Sequence, residues 1–172
     1  KGGNMNDKYS RQTFSEWLAL TEAGKNAAKV KWIKKQDEWK GNFVINNIEY
    51  NIHVYTDEIV PNFEVWEFKF YKDNKTTKIT GDFAAHFILV PTIKNAFEDF
   101  VKEKQPDAVL FLAADSSKSR KSLYKSNSDA VASKYNYFSI NPMLPKNNIL
   151  FGVCKEDYMV DTVKKLIKRS YI

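Results

Sequence analysis

The sequence contains little cysteine, histidine, glycine and proline. Its single cysteine, Cys154, excludes an intrachain disulfide, and with only His53 and His86 there is no cluster at zinc-ligand spacing. Six glycines and five prolines among 172 residues exclude a collagen-like or low-complexity chain. Because a cysteine in an apolar run usually behaves as a small buried hydrophobe, we expect Cys154 to be buried and the protein to work in a reducing cytoplasm.

Long apolar runs are also missing. No stretch approaches the roughly 20 apolar residues that a membrane-spanning helix needs. The first ten residues, KGGNMNDKYS, are polar and contain no signal-peptide core. Met5 is a candidate start, so the residues before it are left out of the fold prediction. We therefore expect a protein that is neither inserted in a membrane nor exported.

The chain is rich in apolar and aromatic residues. Hydrophobic residues make up 43% of it, including 12 Phe, 9 Tyr and 4 Trp, which suffices for one ordinary core. Phe14, Trp17 and Leu18 share one face of a short helix predicted over residues 10–21. We predict an N-terminal arm over residues 1–27 and one domain over residues 28–172.

Alternating apolar residues predict an antiparallel meander between residues 30 and 73. The runs on either side of Asn46 and Asn47 form a predicted hairpin, because asparagine tolerates the positive φ of a tight turn. The alternation also assigns the faces of the strands. Ile48, Tyr50, Ile52 and Val54 share one face opposite Glu49, Asn51, His53 and Tyr55, and Trp66, Phe68 and Phe70 lie opposite Glu67 and Lys69.

The second half of the chain alternates helices and strands. Helical spacing of apolar residues predicts one long helix between Gly81 and Gln105, kinked at Pro91. The almost uniformly apolar DAVLFLAA predicts a central strand that is buried on both faces. A helix from Ser117 to Lys134, strands in YFSINPM and NILFGVCK, and an amphipathic final helix follow. This order predicts a single-domain α+β fold with a mixed central sheet flanked by helices.

The net charge of +6 is spread unevenly. Residues 41–100 hold five basic and nine acidic residues, so the rest of the chain carries +10. The basic runs KVKWIKKQDEWK and VKKLIKRSYI could attract polyanions, although solvated lysines on exposed faces explain the same pattern. We expect a protein or nucleic-acid partner at these basic ends and no membrane association.

The element order resembles the GNAT (N-acetyltransferase) fold over about residues 28–154. That fold places a meander before a phosphate-binding turn, a helix, a central strand and a second helix carrying a tyrosine, here Tyr124. The resemblance implies a GNAT-like fold and, for an active member, acetyl-CoA or another acyl-CoA as cofactor.

The turn before the first of these helices carries the diphosphate of coenzyme A in GNAT enzymes and resembles [QR]-x-x-G-x-[GA]. A helix start supplies unpaired N–H donors, and small residues allow the backbone to approach phosphate. In this chain Phe83 replaces the small residue and Asp82 adds a negative charge. The resemblance implies cofactor contacts by Lys78, Thr80, Gly81 and Ala84.

The second helix of GNAT enzymes often carries N-x-x-A-x-x-x-Y, whose tyrosine protonates the departing coenzyme A thiolate. Ser117, Arg120 and Tyr124 have this spacing, and only the tyrosine matches in type. A phenol of pKa ~10 is a suitable acid for a thiolate whose thiol has a pKa of about 8.5. The resemblance implies Tyr124 as the acid, with Ser117 and Arg120 beside the cofactor, although a core tyrosine explains the same residue.

Acyl transfer to an amine also needs a base. Glu67, on the strand before the phosphate turn, is the best-placed carboxylate, and Glu64 and His53 are alternatives if their strands are adjacent. A solvent-facing strand residue is the plainer interpretation of Glu67.

Two functions remain open. The FSEWL opening and the later S-R-x-x-L-Y series are similar to short proteins of tailed bacteriophages that carry GNAT-like second halves. One function is an acyl-CoA dependent N-acyltransferase. The other is a phage binding module in the host cytoplasm or the virion, with a degenerate site and no cofactor. Asp82, Phe83 and Pro91 depart from what a coenzyme A site requires and favour the binding module.

Overall fold

The computed structural model describes residues 27–57, 62–72, 75–76, 83–114, 118–140, 143–144 and 148–170. The helix predicted over residues 10–21 lies outside these ranges. The described residues form nine strands and three helices, named here in chain order. They are β1 (Lys31–Lys34), β2 (Glu38–Ile45), β3 (Ile48–Asp57), β4 (Val65–Lys72), β5 (Lys75–Thr76), α1 (Phe83–Lys104), β6 (Ala108–Ala114), α2 (Lys118–Tyr135), β7 (Phe138–Ile140), β8 (Met143–Leu144), β9 (Asn148–Cys154) and α3 (Asp157–Ser170).

The strands form one mixed sheet in the order β1-β2-β3-β4-β6-β9-β7, with the short β5 and β8 paired to β4 and β9. The first four strands are an antiparallel meander. β4 and β6 run parallel, because α1 crosses over between them. β9 inserts antiparallel between β6 and β7. The predicted single-domain α+β fold with a mixed sheet flanked by helices is confirmed.

The predicted hairpin turn is confirmed. Asn46 and Asn47 have φ values of 51° and 63°, the left-handed pair that a type I′ turn requires. The turn fixes the register of β2 against β3, beginning with Ile45 opposite Ile48. As a result Ile52 and Val54 are buried and the alternate residues of β3 face the other way.

Helices α1 and α2 cover one face of the sheet. α1 is a single helix of 22 residues that includes Pro91, as predicted. Beside the proline, the Thr92 hydroxyl donates to the Ile88 carbonyl at 2.5 Å and accepts the Ala28 N–H at 2.8 Å. Thr92 thereby ties the segment before β1 to the helix. The core under these helices is largely aromatic and includes Trp66, Phe68, Phe70, Phe97, Phe100 and Phe111.

Helix α3 packs on the opposite face, over β9 and β7. Met159 and Val163 of the helix meet Leu150 and Cys154 of the sheet. Cys154 is buried, as predicted, and burial raises the pKa of its thiol to about 12. Among the described helices, none combines the length and apolarity required to cross a membrane. None packs on the α3 side of β2 and β3 either.

Candidate functional site

The parallel pair β4 and β6 opens towards its carboxyl end. Their pairing covers three residue pairs and ends at Glu67 opposite Leu110, whereas the strands continue to Lys72 and Ala114. α1 lies between β4 and β6 in the chain, and α2 follows β6. Both helices therefore begin at the edge formed by the carboxyl ends of these parallel strands. Carboxyl ends of strands at a change of strand direction are a common place for ligands.

Two of the predicted cofactor residues lie at this edge. Ala84 is in the first turn of α1 and Arg120 is in the first turn of α2. Neither helix has an acidic residue in its first turn, but Asp82 directly precedes α1 in the sequence. The free N–H groups of a helix start suit a diphosphate, whereas the negative charge of Asp82 opposes one beside α1. The other predicted contacts, Lys78, Thr80, Gly81 and Ser117, lie outside the described residues.

Tyr124, the predicted acid, is a core residue on α2. Its side chain is 2% exposed, and its ring stacks on Phe111 with centroids 4.9 Å apart. Phe70 and Phe151 complete the aromatic contacts at 6.1 and 6.5 Å. The phenol is thus held by rings of β4, β6 and β9 on the side of the sheet covered by α1 and α2.

Glu67, the predicted base, lies on the other side of β4. It alternates with Phe68 and Phe70, which face Tyr124, so the structure does not bring the predicted acid and base together. The Lys69 ammonium lies 2.9 Å from the Glu67 carboxylate and 5.2 Å from the Tyr55 ring centre.

This cluster has unusual electrostatics. Burial raises the pKa of Tyr55 to about 12. Burial alone would lower the pKa of Lys69, but hydrogen bonds with Tyr55 and Glu67 raise it above its ordinary value. Lys69 therefore remains a charged ammonium group that forms an ion pair with the Glu67 carboxylate.

The two alternative bases occupy different places. His53 is on β3, adjacent to β4 and on the same face as Glu67, with Nε2 2.7 Å from Glu38 Oε1. Glu64 precedes β4 at the end of the strand remote from the opening, where its N–H donates to Asp107 Oδ2 at 2.8 Å. Of these two alternative bases, only His53 lies on the same surface as Glu67.

The sequence alone did not show that these side chains form one surface. The register aligns polar side chains of β1 to β4 into cross-strand rows on the side away from α1 and α2. The alternation of polar residues in each strand was the available signal, but the rows depend on register. We call this surface the polar face; it comprises Lys31, Ile33, Glu38, Lys40, Asn42, Val44, Glu49, Asn51, His53, Tyr55, Glu67, Lys69 and Tyr71.

Helix α2 also carries two buried polar residues that the sequence analysis did not single out. Asn127 and Ser128 are 1% and 2% exposed, and the Asn127 amide and Ser128 hydroxyl have no hydrogen-bond partner among the described residues. They lie one helical turn from Tyr124, on the same buried side of α2. Their signal was two polar residues within an otherwise apolar stripe.

Comparisons with known proteins leave the site to be interpreted from its own geometry. No protein-family model matches the sequence, and no curated protein matches it either. Within the described part of the chain, no group of three or more histidine, cysteine or acidic side chains is placed to hold a metal ion.

The Glu38–His53 pair predicts a pH-dependent stability. The hydrogen bond from His53, supported by Lys40, lowers the pKa of Glu38. A lowered folded-state pKa adds stability above the unfolded value of about 4.3, and this contribution is lost as the pH falls through the folded value. We expect Glu38→Gln to lower Tm by about 1–3 °C at pH 7, with the difference closing below about pH 4.

Thermal melts monitored by circular dichroism between about pH 3 and pH 8 measure this difference. Asp161→Asn, on the exposed part of α3, is the matched control and should melt like the wild type at every pH. A Glu38→Gln difference that stays constant with pH would contradict the assignment.

Proposed function

We propose that the protein is a GNAT-like binding module of a tailed bacteriophage, with a degenerate acyltransferase site. The observation that carries the proposal is the position of Tyr124, which is stacked on Phe111 within the aromatic core and is 2% exposed. A general acid must come within about 2.6–3.2 Å of the atom that it protonates. A phenol packed in this way serves the core.

The position of Glu67 supports the same proposal. Its carboxylate lies on the opposite side of β4 from Tyr124 and is occupied by the Lys69 ammonium at 2.9 Å. A base for an acceptor amine needs an available lone pair facing the same reaction centre as the acid. The two side chains do not meet this requirement in the described structure.

An acyl-CoA dependent N-acyltransferase is the second candidate, and the opening between β4 and β6 favours it. Pairing ends at Glu67 opposite Leu110, and both helix starts at that edge lack acidic residues in the first turn. Bound acetyl-CoA would supply the activated acetyl group. Lys78, Thr80, Gly81, Ala84, Ser117 and Arg120 would hold it, with Tyr124 as acid and Glu67 as base.

Isothermal titration of the purified protein with acetyl-CoA separates the two candidates. We expect no saturable heat up to about millimolar ligand, because a binding module with a degenerate site lacks a working cofactor pocket. Micromolar binding that is lost in Gly81→Glu would overturn the proposal in favour of the acyltransferase. Ser133→Glu, an exposed position on α2, adds the same charge elsewhere and must leave any such binding intact.

A further inference from the structure

The polar face presents cations, aromatic rings and amides in ordered cross-strand rows. One row contains Lys40, His53 and Lys69 on three adjacent strands, and the next contains Asn42, Asn51 and Tyr71. We propose that this face binds single-stranded nucleic acid, an inference that rests on the proposed binding function and names its partner.

Charge is the first argument. The acidic residues of the face are already engaged: Glu38 by His53 and Lys40, Glu67 by Lys69, and Glu49 by a hydrogen bond from Asn42. At the β1 edge, Lys29 and Lys31 are exposed and have no acidic partner among the described residues. Because Lys40 and Lys69 are balanced by Glu38 and Glu67, the uncompensated cations are these two edge lysines. They are available to a phosphate backbone, which is the main source of sequence-independent affinity.

Aromatic rings are the second argument, because they distinguish nucleic acid from other polyanions. The His53 and Tyr55 rings lie 4.7 Å apart on β3, and Tyr71 lies in the row beyond them on β4. Unpaired bases stack on tyrosine and histidine rings exposed on a sheet, whereas a duplex keeps its bases stacked internally. The polar face thus combines a stacking surface with flanking lysines and fits a single strand.

Neighbouring amides complete the surface. Asn42 Nδ2 lies 3.2 Å from Asn51 Oδ1, so the two amides are linked in front of Tyr71. Asparagine amides offer both donors and acceptors, which match the edges of unpaired bases.

Fluorescence anisotropy with a labelled oligo-dT of about 15 nucleotides, titrated from about 50 to 200 mM salt, tests the proposal. We expect binding that weakens steeply with salt. The double variant Lys29→Gln with Lys31→Gln should bind roughly tenfold more weakly at low salt, and its log–log salt slope should fall by roughly 1.4 for two lost phosphate contacts.

The matched control is the double variant Lys125→Gln with Lys134→Gln. These lysines are on α2, on the other side of the sheet, and their side chains are each 59% exposed; Lys29 and Lys31 are exposed as well. The control removes the same charge and should bind like the wild type. Equal losses in the two double variants, or no binding of the wild type at 50 mM salt, would overturn the proposal.

Tyr71→Leu tests the stacking argument separately. Removal of the ring should weaken binding by about tenfold at every salt concentration and leave the salt slope unchanged. Unlabelled poly-glutamate should compete poorly with oligo-dT. Equal competition by poly-glutamate, with no effect of Tyr71→Leu, would overturn the proposal and indicate an acidic protein partner.

We expect each variant to be folded, because all the substituted side chains are exposed or partly exposed. Circular dichroism melts check this. The outcome is independent of the acetyl-CoA titration. Failure to bind oligo-dT overturns the partner assignment alone, whereas micromolar acetyl-CoA binding overturns the proposed function.

Discussion

Gly152→Ala should lower the free energy of unfolding by at least about 3 kcal/mol, a large fraction of the roughly 5–15 kcal/mol that is typical of a folded protein. Gly152 lies in the middle of β9, opposite Leu110 of β6 and Ile140 of β7. A Cβ at this position would lie 2.4 Å from the Val109 carbonyl oxygen. That atom belongs to the backbone of the central strand, so relief requires β6 and β9 to separate. Urea denaturation of both proteins measures the change.

Gly41→Ala is the control, because the crowding there involves side chains at the sheet edge. A Cβ on Gly41 would meet Val30 Cγ1 at 2.8 Å and the Trp32 ring at 3.0 Å. Both belong to the segment around the edge strand β1, which can shift at low cost. We expect a loss of about 1 kcal/mol or less. Equal losses at the two glycines would show that the approach of β9 to β6 is less tight than the structure indicates.

Features of the fold that depend only on residues close together in the chain were predictable from the sequence. The Asn46–Asn47 turn follows from the tolerance of asparagine for positive φ, and the faces of β3 and β4 follow from strict alternation. The central position of β6 follows from its apolar run, because only a strand covered on both faces can bury it. These signals are local, so tertiary contacts had little scope to override them.

The placement of β9 between β6 and β7 was not predicted, because strand order depends on contacts between distant residues. β9 lies eight residues after β7 in the chain but pairs with both β7 and β6. The placement of the candidate acid and base on opposite sides of β4 was not predictable for a similar reason. Alternation gave the face of Glu67, but the face of the sheet on which α2 places Tyr124 depends on the packing of that helix. The rows of the polar face likewise require the register of four strands.

Phe111→Ala should lower the free energy of unfolding by about 3–5 kcal/mol. Phe111 is fully buried on the central strand and joins two parts of the aromatic core. Its ring centre lies 4.5 Å from that of Phe97 on α1 and 4.9 Å from that of Tyr124 on α2. Truncation leaves a cavity between both helices and the sheet, and a ring of this size cannot be replaced by small shifts of its neighbours. Urea denaturation again gives the free energy.

Tyr124→Phe is the comparison that links this core to the proposed function. The substitution keeps the ring that stacks on Phe111 and removes only the hydroxyl, so we expect a loss within about 1.5 kcal/mol. Tyr124→Ala should instead approach the cost of Phe111→Ala, because it removes the ring itself. A core role therefore predicts that the variant that keeps the ring, Tyr124→Phe, has a higher free energy of unfolding than the variant that removes it, Tyr124→Ala. If Tyr124→Ala were as stable as Tyr124→Phe, the ring would not be part of the core, and the main support for a binding module over an acyltransferase would be lost.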